Sequence, residues 1–153
     1  MHFEGKEKVN APIEAVWGFF MDPNKVAGCA PGYQSMEVLS PDHFKPKVGV
    51  GIGAVKATFT LDVMLTDLQA PNHAVVKGHG VAAGSAVDLT GTLNLAAESE
   101  TVTNMDWIAD VNISGTIASV GARLMEGTAR KLTGRFFDCM RQKVETPSGA
   151  AST

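Results

Sequence analysis

What this chain lacks excludes several large protein classes. Its 153 residues include only two cysteines, Cys29 and Cys139, too few for the disulfide framework of a small secreted domain. No basic-then-apolar start resembles a signal peptide, so a reducing cytoplasm is the expected compartment. No run approaches the roughly 20 apolar residues that a spanning helix requires. A basic footprint is missing too: the formal net charge is −3, which argues against general nucleic-acid binding. Charged residues are sparse at 19% while hydrophobic ones make up 44%, the balance of a folded globular domain rather than a disordered chain. At this length one domain suffices.

Catalytic and cofactor signatures are equally scarce. His2, His43, His73 and His79 make no HxxxH or HxH spacing, so neither a metal site nor another cofactor is expected. Nucleotide cradles and the nucleophile elbow are absent; Gly49-Val50-Gly51-Ile52-Gly53 is glycine-rich but joins two strands instead of opening a helix, and reads as a hairpin. Carboxylates fall mostly on polar strand faces or in turns, with Asp62, Asp106 and Asp110 solvated. Neither cysteine has a histidine close in sequence to activate it. The chain is therefore read as a non-enzyme. Were an inward-facing acid or base present, Glu37, Asp88 and His79 would be the residues to consider.

What is present is a change of period. From Tyr33 to Ile113 the pattern is mostly two, clearest in Val55, Ala57, Phe59, Leu61, Val63 and Leu65 against Lys56, Thr58, Thr60 and Asp62. With the opening strand His2 to Val9, seven strands are expected. Asn10 is expected to cap a first short helix, with Pro12 in its first turn, and Asn24 to Gly28 to form a second. From Ile117 to Val144, apolar residues recur at three- and four-residue steps, which predicts one helix about 40 Å long with Gly121 on its buried face. The expected fold class is α+β: a curved antiparallel sheet around a long C-terminal helix, two short helices after the first strand, one domain over 1–145 and a flexible tail over 146–153.

A long helix laid on a bent sheet leaves a gap, and many Gly and Ala residues keep it open. Trp17, Phe20, Phe59, Met105, Trp107, Leu124, Met125 and Thr128 are the expected apolar lining. The loop Gly28-Cys29-Ala30-Pro31-Gly32, apolar yet rich in turn formers, is expected to close over it. The opposite side of the helix should be a basic face: six cations stand against two carboxylates between Ile117 and Val144, with Arg123, Arg130 and Arg141 in one stripe and Phe137 at its margin. These four are the candidate contacts for an acidic partner or anionic lipid headgroups.

Five segments carry a resemblance: Pro12-Ile13-Glu14-Ala15-Val16-Trp17, Asp22-Pro23, the loop Gly28 to Gly32, Gly53-Ala54-Val55-Lys56-Ala57-Thr58-Phe59, and Gly121 to Lys131. In these the chain resembles the carbon monoxide dehydrogenase CoxG family of the START-like (SRPBCC) helix-grip superfamily, from about Phe3 to Phe137. The resemblance implies a helix-grip fold around an apolar tunnel, walled in part by Ala30 and Pro31. It implies a non-catalytic accessory role beside a carbon monoxide dehydrogenase-type redox complex. Such a protein shuttles a quinone or lipid, or recruits the enzyme to the inner face of the membrane. Some members carry a hydrophobic C-terminal anchor, which this sequence does not show. The alternatives are an assembly factor acting through its surface without a ligand, and a cyclase or hydrolase of the same superfamily.

Overall fold

The computed structural model describes the backbone of residues 1–151 and the side chains of residues 1–145; the tail expected over 146–153 lies outside the fully described residues. Seven strands form, as the period of two requires: β1 (His2–Val9), β2 (Tyr33–Ser40), β3 (His43–Ile52), β4 (Val55–Gln69), β5 (His73–Ala82), β6 (Ser85–Ser99) and β7 (Val102–Gly115). They make one curved antiparallel sheet in the order β1-β7-β6-β5-β4-β3-β2. The odd residues of β4 and β7 face the helices, so their apolar side chains share one side of the sheet.

Two short helices, α1 (Ile13–Phe20) and α2 (Pro23–Cys29), bridge β1 and β2. Asn10 does not cap α1 as expected. Pro12 occupies the cap position with φ −60° and no side-chain cap bond, while the Asn10 N–H donates to Glu145 Oε2 at 2.7 Å. The second helix has a true cap: Asp22 accepts from the Asn24 and Lys25 N–H groups at 3.0 and 3.4 Å, and Pro23 fills the first turn, where no N–H is missed.

The late helical segment differs from the single helix expected. Thr116–Val120 forms a 3-10 turn, Gly121 breaks it with φ +100°, and α3 runs from Ala122 to Ala151. Gly121 is exposed, and a Cβ placed there would meet nothing within 4 Å. Its glycine therefore serves the left-handed backbone of the junction rather than close packing. Ile117, 2% exposed, pins the 3-10 turn to Phe59 and Ile52.

The core divides into two clusters. Val9, Val16, Phe19, Met105 and Met140 fill the end where α1 and the second half of α3 meet the sheet. Val48, Ile52, Phe59 and Ile117 form a smaller cluster at the other end. A covalent bond joins α2 to α3: Cys29 and Cys139 form a disulfide with Cα atoms 5.5 Å apart. This corrects the reading of Cys29 and Cys139 as two separate thiols. Few cysteines exclude a framework but not one bridge, and the packing of α2 on α3 brings together residues 110 apart.

Three histidines pair with carboxylates across strands, away from the helices: His2 with Asp110, His43 with Asp62 and His79 with Asp88, at 2.7, 2.6 and 2.6 Å. The hydrogen bond that the His2 ring donates to Asp110, with the charges of Asp110 and Glu4 behind it, raises the His2 pKa above its ordinary value. A raised pKa in the folded state means that the pair stabilises below the unfolded-state pKa and stops doing so as pH rises through the folded value. In an NMR titration the His2 midpoint is expected above that of free histidine, and Asp110→Asn is expected to lower it; equal midpoints in the two proteins would refute the pairing.

Candidate functional site

Between the two core clusters lies an apolar cavity of two lobes, about 240 and 260 Å³. One lies under the first half of α3 and the 3-10 turn, against Phe59, Val87, Ile113 and Met125. The other lies under α1 and α2, against Phe20, Val26, Phe44 and Leu93. Val48, Leu61, Val63 and Leu89 wall both lobes, so the two spaces adjoin at these four side chains, the waist of the apolar channel between sheet and helices. Small residues keep it open. Ala27, Ala30 and Ala74 line one lobe, Ala129 and Gly78 the other. A Cβ on Gly78 would have its nearest neighbours at 3.8–3.9 Å, ordinary contact rather than a clash.

The chemistry of the wall is nearly uniform. Thr128 supplies the one polar side chain among the residues of either lobe, and none of them is an acid, a base or a thiol. Such a surface can shelter hydrocarbon, but it would leave the polar groups of a guest unsatisfied at a cost of about 1–3 kcal/mol each. Glu37, Asp88 and His79 lie elsewhere: the last two pair with each other at 2.6 Å and Glu37 is exposed on β2.

Of the ten residues expected at the lining, Phe20, Ala30, Phe59, Met125 and Thr128 meet in the channel. Met105 is fully buried in the larger core cluster, and Trp17 packs against that cluster. Pro31 is half-buried in the loop, outside both lobes. Leu124, 43% exposed, lines a shallow hollow at the start of α3 with Val120, Arg123 and Lys131. Trp107 lies across Gly5, its ring 5.5 Å from that of Phe137, in a cleft between β1 and α3. The waist residues Leu61, Val63 and Leu89 were not singled out from sequence, although Leu61 and Val63 belong to the apolar set of β4.

The candidate partner contacts divide between two places. Arg130, Phe137 and Arg141 line the β1–α3 cleft; Arg123 belongs to the hollow near Leu124. Phe137 is buried at 8% exposure, Arg130 lies 5.6 Å over the ring of Phe3, and Arg141 is paired with Glu7 and Asp138. The basic face is therefore less free than its composition suggests.

A family profile describing CoxG, the G-type subunit of carbon monoxide dehydrogenase, matches residues 5–145. The chain belongs to the carbon monoxide dehydrogenase CoxG family. No curated protein sequence matches it. Among solved structures, a conserved protein from Geobacillus kaustophilus superposes with a TM-score of 0.89 at 24% identity, covering 96% of this chain and 97% of that one. The Zhui aromatase/cyclase from Streptomyces sp. R1128 gives 0.74 at 16% identity over 99% and 97% of the two chains. A START superfamily protein from Mycobacterium smegmatis gives 0.73 at 11% over 95% and 97%. At these identities the structural likeness establishes the START-like, helix-grip fold and nothing more specific. This CoxG family member thus shares its architecture with a protein named as an enzyme, and the lining has to decide what the channel does.

Proposed function

We propose that the chain is a non-catalytic accessory protein of a carbon monoxide dehydrogenase-type redox complex. In this reading it holds the apolar tail of a quinone or similar lipid in the channel and carries it between the membrane surface and the enzyme. The observation behind this reading is the channel itself: elongated, two-lobed and walled by hydrocarbon except at Thr128. The two lobes together fall within the roughly 300–1,000 Å³ typical of small-molecule sites. A tail burying about 300 Å² of apolar surface gains about 7 kcal/mol before the costs of association, enough for useful affinity without a specific polar contact. The absence of acids and bases from the wall favours carriage over cyclisation or hydrolysis.

In this reading the protein meets the membrane only at its surface. No helix among the described residues is long and apolar enough to cross a bilayer. The cleft with Arg130, Phe137 and Arg141 is the proposed contact for the redox enzyme, and Arg123 beside Leu124 that for lipid headgroups. The test is organic extraction of freshly purified protein, followed by absorbance and mass spectrometry. A quinone or other long-chain lipid in near-stoichiometric amount is the expected result. Repeatedly empty extracts, together with no binding of added menaquinone, would refute carriage and leave a surface-acting assembly factor.

A further inference from the structure

The two lobes of the channel differ in one chemical respect. Every residue lining the lobe under α1 and α2 has an apolar side chain. The lobe under α3 has the same kind of wall with a single exception, the hydroxyl of Thr128. A helical threonine commonly donates back to the carbonyl four residues earlier. Thr133 does so, to Ala129 at 2.7 Å, whereas the Thr128 hydroxyl has no hydrogen-bond partner among the described residues. Thr128 is half-buried and also borders the shallow hollow that contains Arg123 and Lys131. It therefore stands at the outer edge of its lobe, with its hydroxyl uncommitted.

We propose that Thr128 sets both the direction and the class of the guest. Its hydroxyl takes the polar end of a lipid whose head is uncharged and carries a carbonyl or hydroxyl oxygen, and the tail runs past the waist into the lobe under α1 and α2. The inference rests on carriage of a lipid in the channel and adds which end lies where. A carbonyl oxygen in the far lobe would lose its hydrogen bonds to water and find no side chain to replace them, a penalty that one hydroxyl partner largely removes. The guest has one favourable direction as a result. No charged side chain lines either lobe, so a carboxylate head drawn inside would be buried without a counter-charge. Neutral heads are favoured over those of fatty acids. Because a hydroxyl both donates and accepts, the same contact serves the oxygen of a quinone and the hydroxyl of the corresponding quinol.

The test compares the wild type with Thr128→Val, which keeps the shape and removes the hydroxyl, and Thr128→Ser, which keeps the hydroxyl. Three probes are partitioned from detergent micelles into the full chain: menaquinone with a four-isoprene tail, phytane as a hydrocarbon of matching length, and phytanic acid. Thr128→Val is expected to weaken menaquinone binding about five- to tenfold and to leave phytane unchanged, while Thr128→Ser binds both as the wild type does. The infrared carbonyl stretch of bound menaquinone should lie lower in wild type and Thr128→Ser than in Thr128→Val. A diazirine at the far end of the menaquinone tail should label Phe44 or Leu93 of the other lobe. A wild type that takes up neither menaquinone nor phytane refutes carriage itself, and this inference with it. Uptake of both that Thr128→Val leaves unaltered overturns this inference alone. So does an equal loss of menaquinone and phytane in Thr128→Val, phytanic acid bound as tightly as menaquinone, or tail-end label at Ile117 of the first lobe.

Discussion

Gly78→Leu is expected to abolish uptake of menaquinone while leaving the protein folded. Gly78 lies on β5 in the wall of the channel, and a Cβ there would sit 3.8–3.9 Å from Leu89 and Val63, two of the waist residues. The first added carbon is accommodated; the remaining three must occupy the passage between the lobes. Stability should change little, because glycine is a poor strand residue and a branched side chain repays part of any crowding. Binding should fall about 100-fold or more, equivalent to about 2.7 kcal/mol, read from quenching of tryptophan fluorescence, with an unchanged melting temperature as the folding control. Leu124→Ser, in the exposed hollow, should leave affinity unaltered. Wild-type affinity in Gly78→Leu would mean that the guest does not pass the waist.

Cys139→Ser is expected to lower stability by about 2–4 kcal/mol. The Cys29–Cys139 bond closes a loop of 110 residues, and cross-links over loops of this length remove much entropy from the unfolded chain. For a protein of this size the loss corresponds to a fall in melting temperature of about 5–15 °C. A reductant should lower the melting temperature of the wild type by a similar amount and that of Cys139→Ser not at all. The effect should reach the channel, because α2 ends in Cys29 and supplies Val26 and Ala27 to the wall. Identical melting curves for oxidised wild type and variant would show that the bond contributes nothing in solution.

The sheet was legible because period-two alternation fixes which side of a strand is dry. The odd residues of β4 face the helices just as their pattern required. Other features depend on relations that no local pattern encodes. The break at Gly121 is a matter of backbone sign, and glycine within a helical pattern reads equally as a packing or a junction residue. The disulfide and the Arg141–Glu7 pair join residues 110 and 134 positions apart, visible only once α3 lies on the sheet.

The lining was half legible for a related reason. An inward-facing apolar residue has the same pattern whether it packs or borders a space, and the opposing element decides which. Opposite Met105, the second half of α3 and α1 bring Phe19, Phe137 and Met140 into one filled cluster. Opposite Phe59 and Leu61, α3 presents Thr128 and Ala129, which leave room. Gly5 likewise lets Trp107 lie flat toward the outer cleft, a direction that alternation along β7 cannot specify.

Locating the guest decides whether the channel is a carrier site. The protein is loaded with an isoprenoid chain bearing a diazirine at its midpoint, irradiated and digested, and the labelled residues are mapped by mass spectrometry. Adducts are expected on the channel wall, at Leu61, Leu89 and Leu132. Label confined to Leu124 and its exposed surroundings, or no saturable labelling, would contradict carriage in the channel.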